Sequence, residues 1–167
     1  MLQERDRNQK VPSTGDLASR NVSWISGSHP VGRDRPASSE RPAPQPYGVS
    51  HAGAESLAAW WMRWMGLDGA QVTQLSNDGG IDVEQAEWVA QVKNYSRGNN
   101  VARPEVQNIY GVAMAESKRP MIFTSSGYSA GVIEFADRVG AALFVYPAER
   151  GEITASNKTA AAVLRLR

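Results

Sequence analysis

The sequence predicts an α/β domain, a mixed sheet flanked by helices, carried behind a disordered N-terminal tail. Three observations predict it. The text changes near residue 48, from a stretch rich in Pro, Ser and Arg to one with periodic apolar residues. Beyond that point helical spacing alternates with short apolar runs of strand type. The resulting order is helix, three strands, helix, strand, helix, strand, helix. Three consecutive strands followed by a β-α-β step suit a mixed sheet with helices on its faces. That order alone fits several folds.

Residues 1–47 hold Pro12, Pro30, Pro36, Pro42, Pro44 and Pro46 and almost no apolar periodicity. Such a segment buries too little surface to offset its ordering entropy, so it reads as a tail. Trp24 and Ile25 are its one bulky apolar pair, and the only candidates there for a docking element.

The domain occupies 48–167. A first helix is expected over 52–65, where Leu57, Trp60, Trp61, Trp64 and Met65 fall at helical spacing, with Ser50 as N-cap and Gly66 as stop. Trp61 and Trp64 are assigned to the core, leaving Trp60 or Met62 for a dimer contact. A strand over 71–75 leads into the polar turn at 76–80. Residues 81–84 and 88–93 then form a hairpin around Gln85, Ala86 and Glu87. Arg103, Pro104 and Glu105 open a second helix with the stripe Val106, Ile109, Tyr110 and Ala113. A strand over 121–124 follows. A third helix comes next, capped by Ser129, carrying Val132, Ile133, Phe135, Ala136 and Val139, and ended by Gly140. The last strand is 142–146 and the closing helix 157–166.

Composition narrows the function. With no cysteine and two histidines, His29 and His51, thiolate and His-rich metal sites are excluded. No apolar run reaches bilayer length, and the charged N-terminus lacks the apolar core of a signal peptide, so a cytoplasmic protein without membrane contact is expected. Residues 1–47 carry seven Lys/Arg against five Asp/Glu, and 48–167 carry eleven against twelve. That balance argues against a DNA-coating protein held by phosphate charge alone, but suits an enzyme whose metal supplies positive charge locally.

One constellation carries chemistry. Asp82 stands after Gly79, Gly80 and Ile81, where the second strand begins, and Gln91-Val92-Lys93 follows on the third. Side chains alternate along a strand, so Gln91 and Lys93 share one face, and the hairpin brings Asp82 beside it. A carboxylate, an amide oxygen and an ammonium then converge at one sheet edge. A hard divalent cation takes oxygen ligands, while a lysine orients water or stabilises developing negative charge.

The run 78–82 with Gln91-Val92-Lys93 resembles the signature of Mrr-like endonucleases in the PD-(D/E)xK nuclease superfamily, a subgroup where glutamine commonly replaces the second carboxylate. Gly111, the segment 122–129, Ala136 and Leu143-Phe144 extend the resemblance, which covers about 49–146. It implies a restriction-endonuclease-like fold, DNA as substrate, and Mg²⁺ as cofactor with Mn²⁺ able to take its place. It further implies that Asp82, Gln91, Lys93 and Glu55 form the catalytic site, with Asp82, Glu55 and Gln91 as metal ligands. Glu55 corresponds to a glutamate on the helix before the first strand, although a Glu in a first helical turn is also favoured by the helix dipole. The winged-helix reading domain of many such enzymes is absent from the sequence. Related RecB-type nucleases place Gln and Tyr four apart on the next helix, whereas Gln107 and Tyr110 are three apart.

The expected activity is a Mg²⁺-dependent, restriction or type IV-like DNA endonuclease, acting as a homodimer. The alternatives are a junction-resolving nuclease with the same site and a non-cleaving DNA-binding module on the same fold. Arg97, Arg103, Ser126 and Ser129 are candidate phosphate contacts, as are Lys118 and Arg119. Ser125, Ser126 and Ser129 are expected to cap the third helix. Residues 127–131 also spell the Gly-x-Ser-x-Gly of a hydrolase elbow, but both histidines lie upstream of the serine, against the order that mechanism requires.

Overall fold

The three apolar runs of the central strands, each with few polar residues, become the buried middle of one sheet. The computed structural model describes residues 40–74, 80–96 and 98–166. Trp24, Ile25 and Arg97 lie outside them. The elements are α1 (His51–Trp64), β1 (Gln71–Val72), β2 (Val83–Glu84), β3 (Trp88–Lys93), α2 (Arg103–Ala115), β4 (Arg119–Thr124), α3 (Ala130–Val139), β5 (Ala142–Val145), β6 (Thr154–Ala155) and α4 (Lys158–Leu164). The six strands lie in sequence order. β3, β4 and β5 are parallel, and the β1–β2, β2–β3 and β5–β6 pairs are antiparallel. This is the predicted mixed sheet flanked by helices. No helix among the described residues is long and apolar enough to cross a membrane.

Alternation on the parallel strands splits the core into two layers, as expected of a sheet covered on both faces. Trp88, Ala90, Met121, Phe123, Ala142 and Phe144 pack with α1 and α4. Val89, Ile122 and Leu143 pack with Val106, Ile109 and Ala113 of α2 and with Val132 and Ala136 of α3. The registered pair Phe123 and Phe144 stacks at 5.3 Å between ring centroids. Trp61 meets Trp64 edge-on at 5.2 Å. Met62 is wholly buried, so it is not available for a dimer contact, and the Trp60 indole N–H donates to the Glu40 carbonyl.

Three features escape the apolar pattern. β1 is shorter than expected, but the ladder continues through Thr73, whose N–H and hydroxyl donate to the carbonyls of Asp82 and Ile81. Residues 40–47, assigned to the tail by composition, lie against the domain: Arg41 donates to the Gly151 carbonyl, and Gln45 N–H to that of Ala148. Gly151 permits this approach, since a Cβ there would stand 2.8 Å from the Pro44 nitrogen.

The third is β6, which the sequence does not announce because two residues complete no alternation period. Asn157 fixes the chain just beyond it. Its Oδ1 accepts from Leu143 N–H and Ala160 N–H, and its Nδ2 donates to the Ala141 carbonyl. One buried side chain thus joins the edge of β5 to the N-terminus of α4. Asn157→Ala removes the cap and leaves buried backbone groups without partners, an expected loss of about 2–4 kcal/mol. Urea unfolding checks it: the midpoint should fall at unchanged slope.

Candidate active site

Asp82 immediately precedes β2. Its N–H donates to the Ala90 carbonyl, although Ala90 is registered with Val83. This one-residue offset is of the kind a β-bulge makes, and it re-aims the side chain. Asp82 Oδ2 then accepts from Val92 N–H at 2.7 Å, the donor that a continuing β2 would have satisfied. Burial pushes the Asp82 carboxyl above its ordinary value, against the Val92 hydrogen bond and the Lys93 charge, which pull it down.

Gln91 and Lys93 stand on the β3 face that carries Val89, toward α2. Gln91 is buried, and its Oε1 has no hydrogen-bond partner among the described residues. Gly80 makes room for this amide. Its φ of +88° lies in the region that favours glycine, and a Cβ there would push against Gln91 Nε2 and displace the amide. Lys93 is half-buried, and its Nζ pairs with Glu105 Oε1 at 3.3 Å. Glu55 projects from α1. Burial and the negative charge of Asp82 raise its carboxyl, and His51 opposes the rise. The Asp82 charge thus reaches Glu55 on α1. Glu55 lies in the second turn of α1, not the first, so the helix dipole is a weaker account of it.

Asp82 thus stands beside β3, its charge reaching Glu55 and feeling that of Lys93, and Gln91 shares the Lys93 face. Among the described residues no three His, Cys, Asp or Glu side chains cluster around a metal-sized space. The oxygen donors on offer are two carboxylates and an orphaned amide oxygen. That set fits a hard divalent cation, which also keeps several water ligands.

The sequence reading passed over Glu105, noticing it only as part of a helix start. Its Oε2 accepts from Ala102 N–H at 2.7 Å, half of a capping box, and its Oε1 accepts from the Tyr95 hydroxyl as well as Lys93. Burial raises the Glu105 carboxyl, but Tyr95, Ala102 and Lys93 together bring it below the ordinary range. Tyr95 is pushed up to about 12 by that hydrogen bond and stays a donor.

The outer candidates fare differently. Arg103 is exposed, with its guanidinium 4.5 Å over the Phe135 ring. Ser129 holds the N-cap position of α3 without a side-chain capping bond. Ser125 and Ser126 do not cap α3: their hydroxyls donate to the Tyr95 and Asn99 carbonyls, tying the end of β4 to the loop after β3. Lys118 pairs with Glu84, and Arg119 stacks 4.1 Å over Trp88, so both serve the sheet. A cleft of about 690 Å³ opens at the C-terminal ends of β3, β4 and β5, walled by Asn94, Tyr95, Ser96, Ser125 and Ser126. It begins one residue beyond Lys93.

Residues 47–146 match the Mrr catalytic-domain model, described as a restriction endonuclease. The chain belongs to the Mrr restriction endonuclease family. The matched segment runs from the turn before α1 to the residue after β5, so every candidate residue of this Mrr-type nuclease domain falls inside it. No curated protein and no solved structure matches the chain.

Proposed function

We propose that this Mrr-type domain is a Mg²⁺-dependent DNA endonuclease of the restriction, type IV-like class. The observation that carries the reading is the buried, unpartnered Gln91 Oε1 on the face of β3 that bears Lys93, next in the hairpin to Asp82, whose carboxylate accepts from Val92 N–H. Asp82, Glu55 and Gln91 would hold the cation, which when bound supplies Lewis acidity toward a phosphate oxygen and a more acidic water. Lys93 brings a second positive charge to the attacked phosphate and, through an N–H not given to Glu105, orients the attacking water. Asp82, fixed by Val92 N–H, presents its other oxygen in one orientation. Water adds to phosphorus, a P–O bond of the backbone breaks, and the leaving oxygen is protonated.

The exposed Arg103, together with Ser126 and Ser129 of the β4–α3 turn and Arg97, which lies outside the described residues, is proposed to meet flanking phosphates, positioning the duplex without reading its bases. A domain with one site must act twice or pair up to cut both strands, and a homodimer is the arrangement proposed.

The test is cleavage by the purified chain of supercoiled plasmid, linear duplex, single-stranded and four-way-junction DNA, with Mg²⁺, with Mn²⁺ and with chelator. Nicking or linearisation that chelator abolishes is the expected result. Preference for the junction over linear duplex would move the reading to a junction-resolving nuclease. DNA binding without cleavage under any metal would leave a non-cleaving module.

A further inference from the structure

We propose that Glu105, with Tyr95, is the positioning residue of Lys93, an inference that rests on the nuclease reading above. A lysine on a strand edge has four rotatable bonds and ordinarily sweeps a wide volume of solvent. Here the Nζ is tethered at 3.3 Å to a carboxylate from a different element, the first turn of α2. Each oxygen of that carboxylate is itself held. Oε2 is fixed by Ala102 N–H at 2.7 Å, and Oε1 is shared between Lys93 and the Tyr95 hydroxyl. The Ala102 bond explains a glutamate at the start of α2 as a helix cap. It does not explain why the second oxygen faces the ammonium of β3 and a tyrosine two residues further along the chain.

The consequence is geometric. Lys93 is fixed from the α2 side, while its charge is felt by Asp82 on the opposite strand of the hairpin. One of its three N–H groups is committed to Glu105, leaving two for other partners. Pre-orientation of this kind lowers the cost of reaching the geometry needed at a phosphate. Glu105 need touch neither the DNA nor the cation to act, and Tyr95 acts one step further out.

The test is Glu105→Gln in the full chain. An amide oxygen can keep the Ala102 hydrogen bond, so the helix cap survives while the charge facing Lys93 is gone. The maximal cleavage rate should fall about 10–100-fold, the range for outer-shell partners. The dissociation constants for duplex DNA and for Mn²⁺ should stay at the wild-type values, and so should Tm. If Glu105 were only a helix cap, Glu105→Gln would leave the maximal rate intact as well, since the capping bond is kept. Tyr95→Phe removes a single hydroxyl and should lower the rate in the same direction, by less. If Glu105→Gln fails to fold, Tyr95→Phe decides: a lower rate at unchanged Mn²⁺ affinity supports the positioning role, and the wild-type rate overturns it. A wild-type enzyme that cleaves, beside a Glu105→Gln variant that cleaves equally fast, also overturns it while leaving the nuclease reading intact. A wild-type chain that cleaves no DNA with either metal overturns both.

Discussion

Lys93→Ala is expected to lower the rate of DNA cleavage by about 10²–10³-fold, or roughly 2.7–4 kcal/mol of transition-state stabilisation, as for loss of a single preorganised contact to developing charge. Lys93 sits at the end of β3, outside both core layers, so its truncation opens no cavity. Nor does it orphan its partner, because Glu105 keeps the Tyr95 hydroxyl and Ala102 N–H. The variant should therefore unfold at the wild-type midpoint. Metal affinity should hold or rise, since removing an ammonium near Asp82 relieves repulsion toward a cation. Single-turnover cleavage at saturating Mg²⁺, beside calorimetric Mn²⁺ titration, checks both halves. Cleavage at the wild-type rate would remove Lys93 from the chemistry.

Asp82→Asn should show the converse pattern, with metal affinity and cleavage falling together. Losing a charged ligand should cost more than the about 10–100-fold typical of outer-shell changes. Its effect on the metal-free protein has the opposite sign. The Asp82 carboxyl is raised above the ordinary 3.8 by burial. The folded chain therefore binds the proton more tightly than the unfolded chain. The stability this contributes is present at acid pH and is lost as pH rises from about 3.8 through the folded value. At neutral pH the ionised carboxylate is a liability until a cation joins it. Asparagine cannot ionise, and its amide oxygen can still accept from Val92 N–H. Metal-free Asp82→Asn should thus melt at or above the wild-type temperature at neutral pH, while the rise in Tm that Mn²⁺ gives the wild type disappears. Melting curves with and without Mn²⁺ read both effects. A variant that keeps the full Mn²⁺-dependent rise would show that Asp82 is not a ligand. Glu55→Gln in the same assay separates two roles: it behaves like Asp82→Asn if α1 completes the metal site, and is nearly silent otherwise.

What the sequence by itself determined was local or periodic. Alternation put Gln91 and Lys93 on one face of β3, and helical spacing with its caps drew α1 and α3 to within a residue of their observed ends and placed the start of α2. A mixed sheet flanked by helices was legible from the element order, three strands and then a β-α-β step. The tertiary structure alone decided which groups from distant elements meet those residues. Glu105 reads in sequence as a helix start, and only the packing of α2 against β3 turns its second oxygen to Lys93. The offset at Asp82 lets a side chain cap Val92 N–H, a matter of ladder register that no residue pattern encodes. Ser125 and Ser126 looked like helix caps, yet the neighbouring loop after β3 offered them nearer carbonyls. Asn157 and the two-residue β6 gave no periodic signal, because their role lies in hydrogen bonds to β5. Burial periodicity is written along the chain, whereas polar pairing depends on which surfaces the packed layers bring face to face.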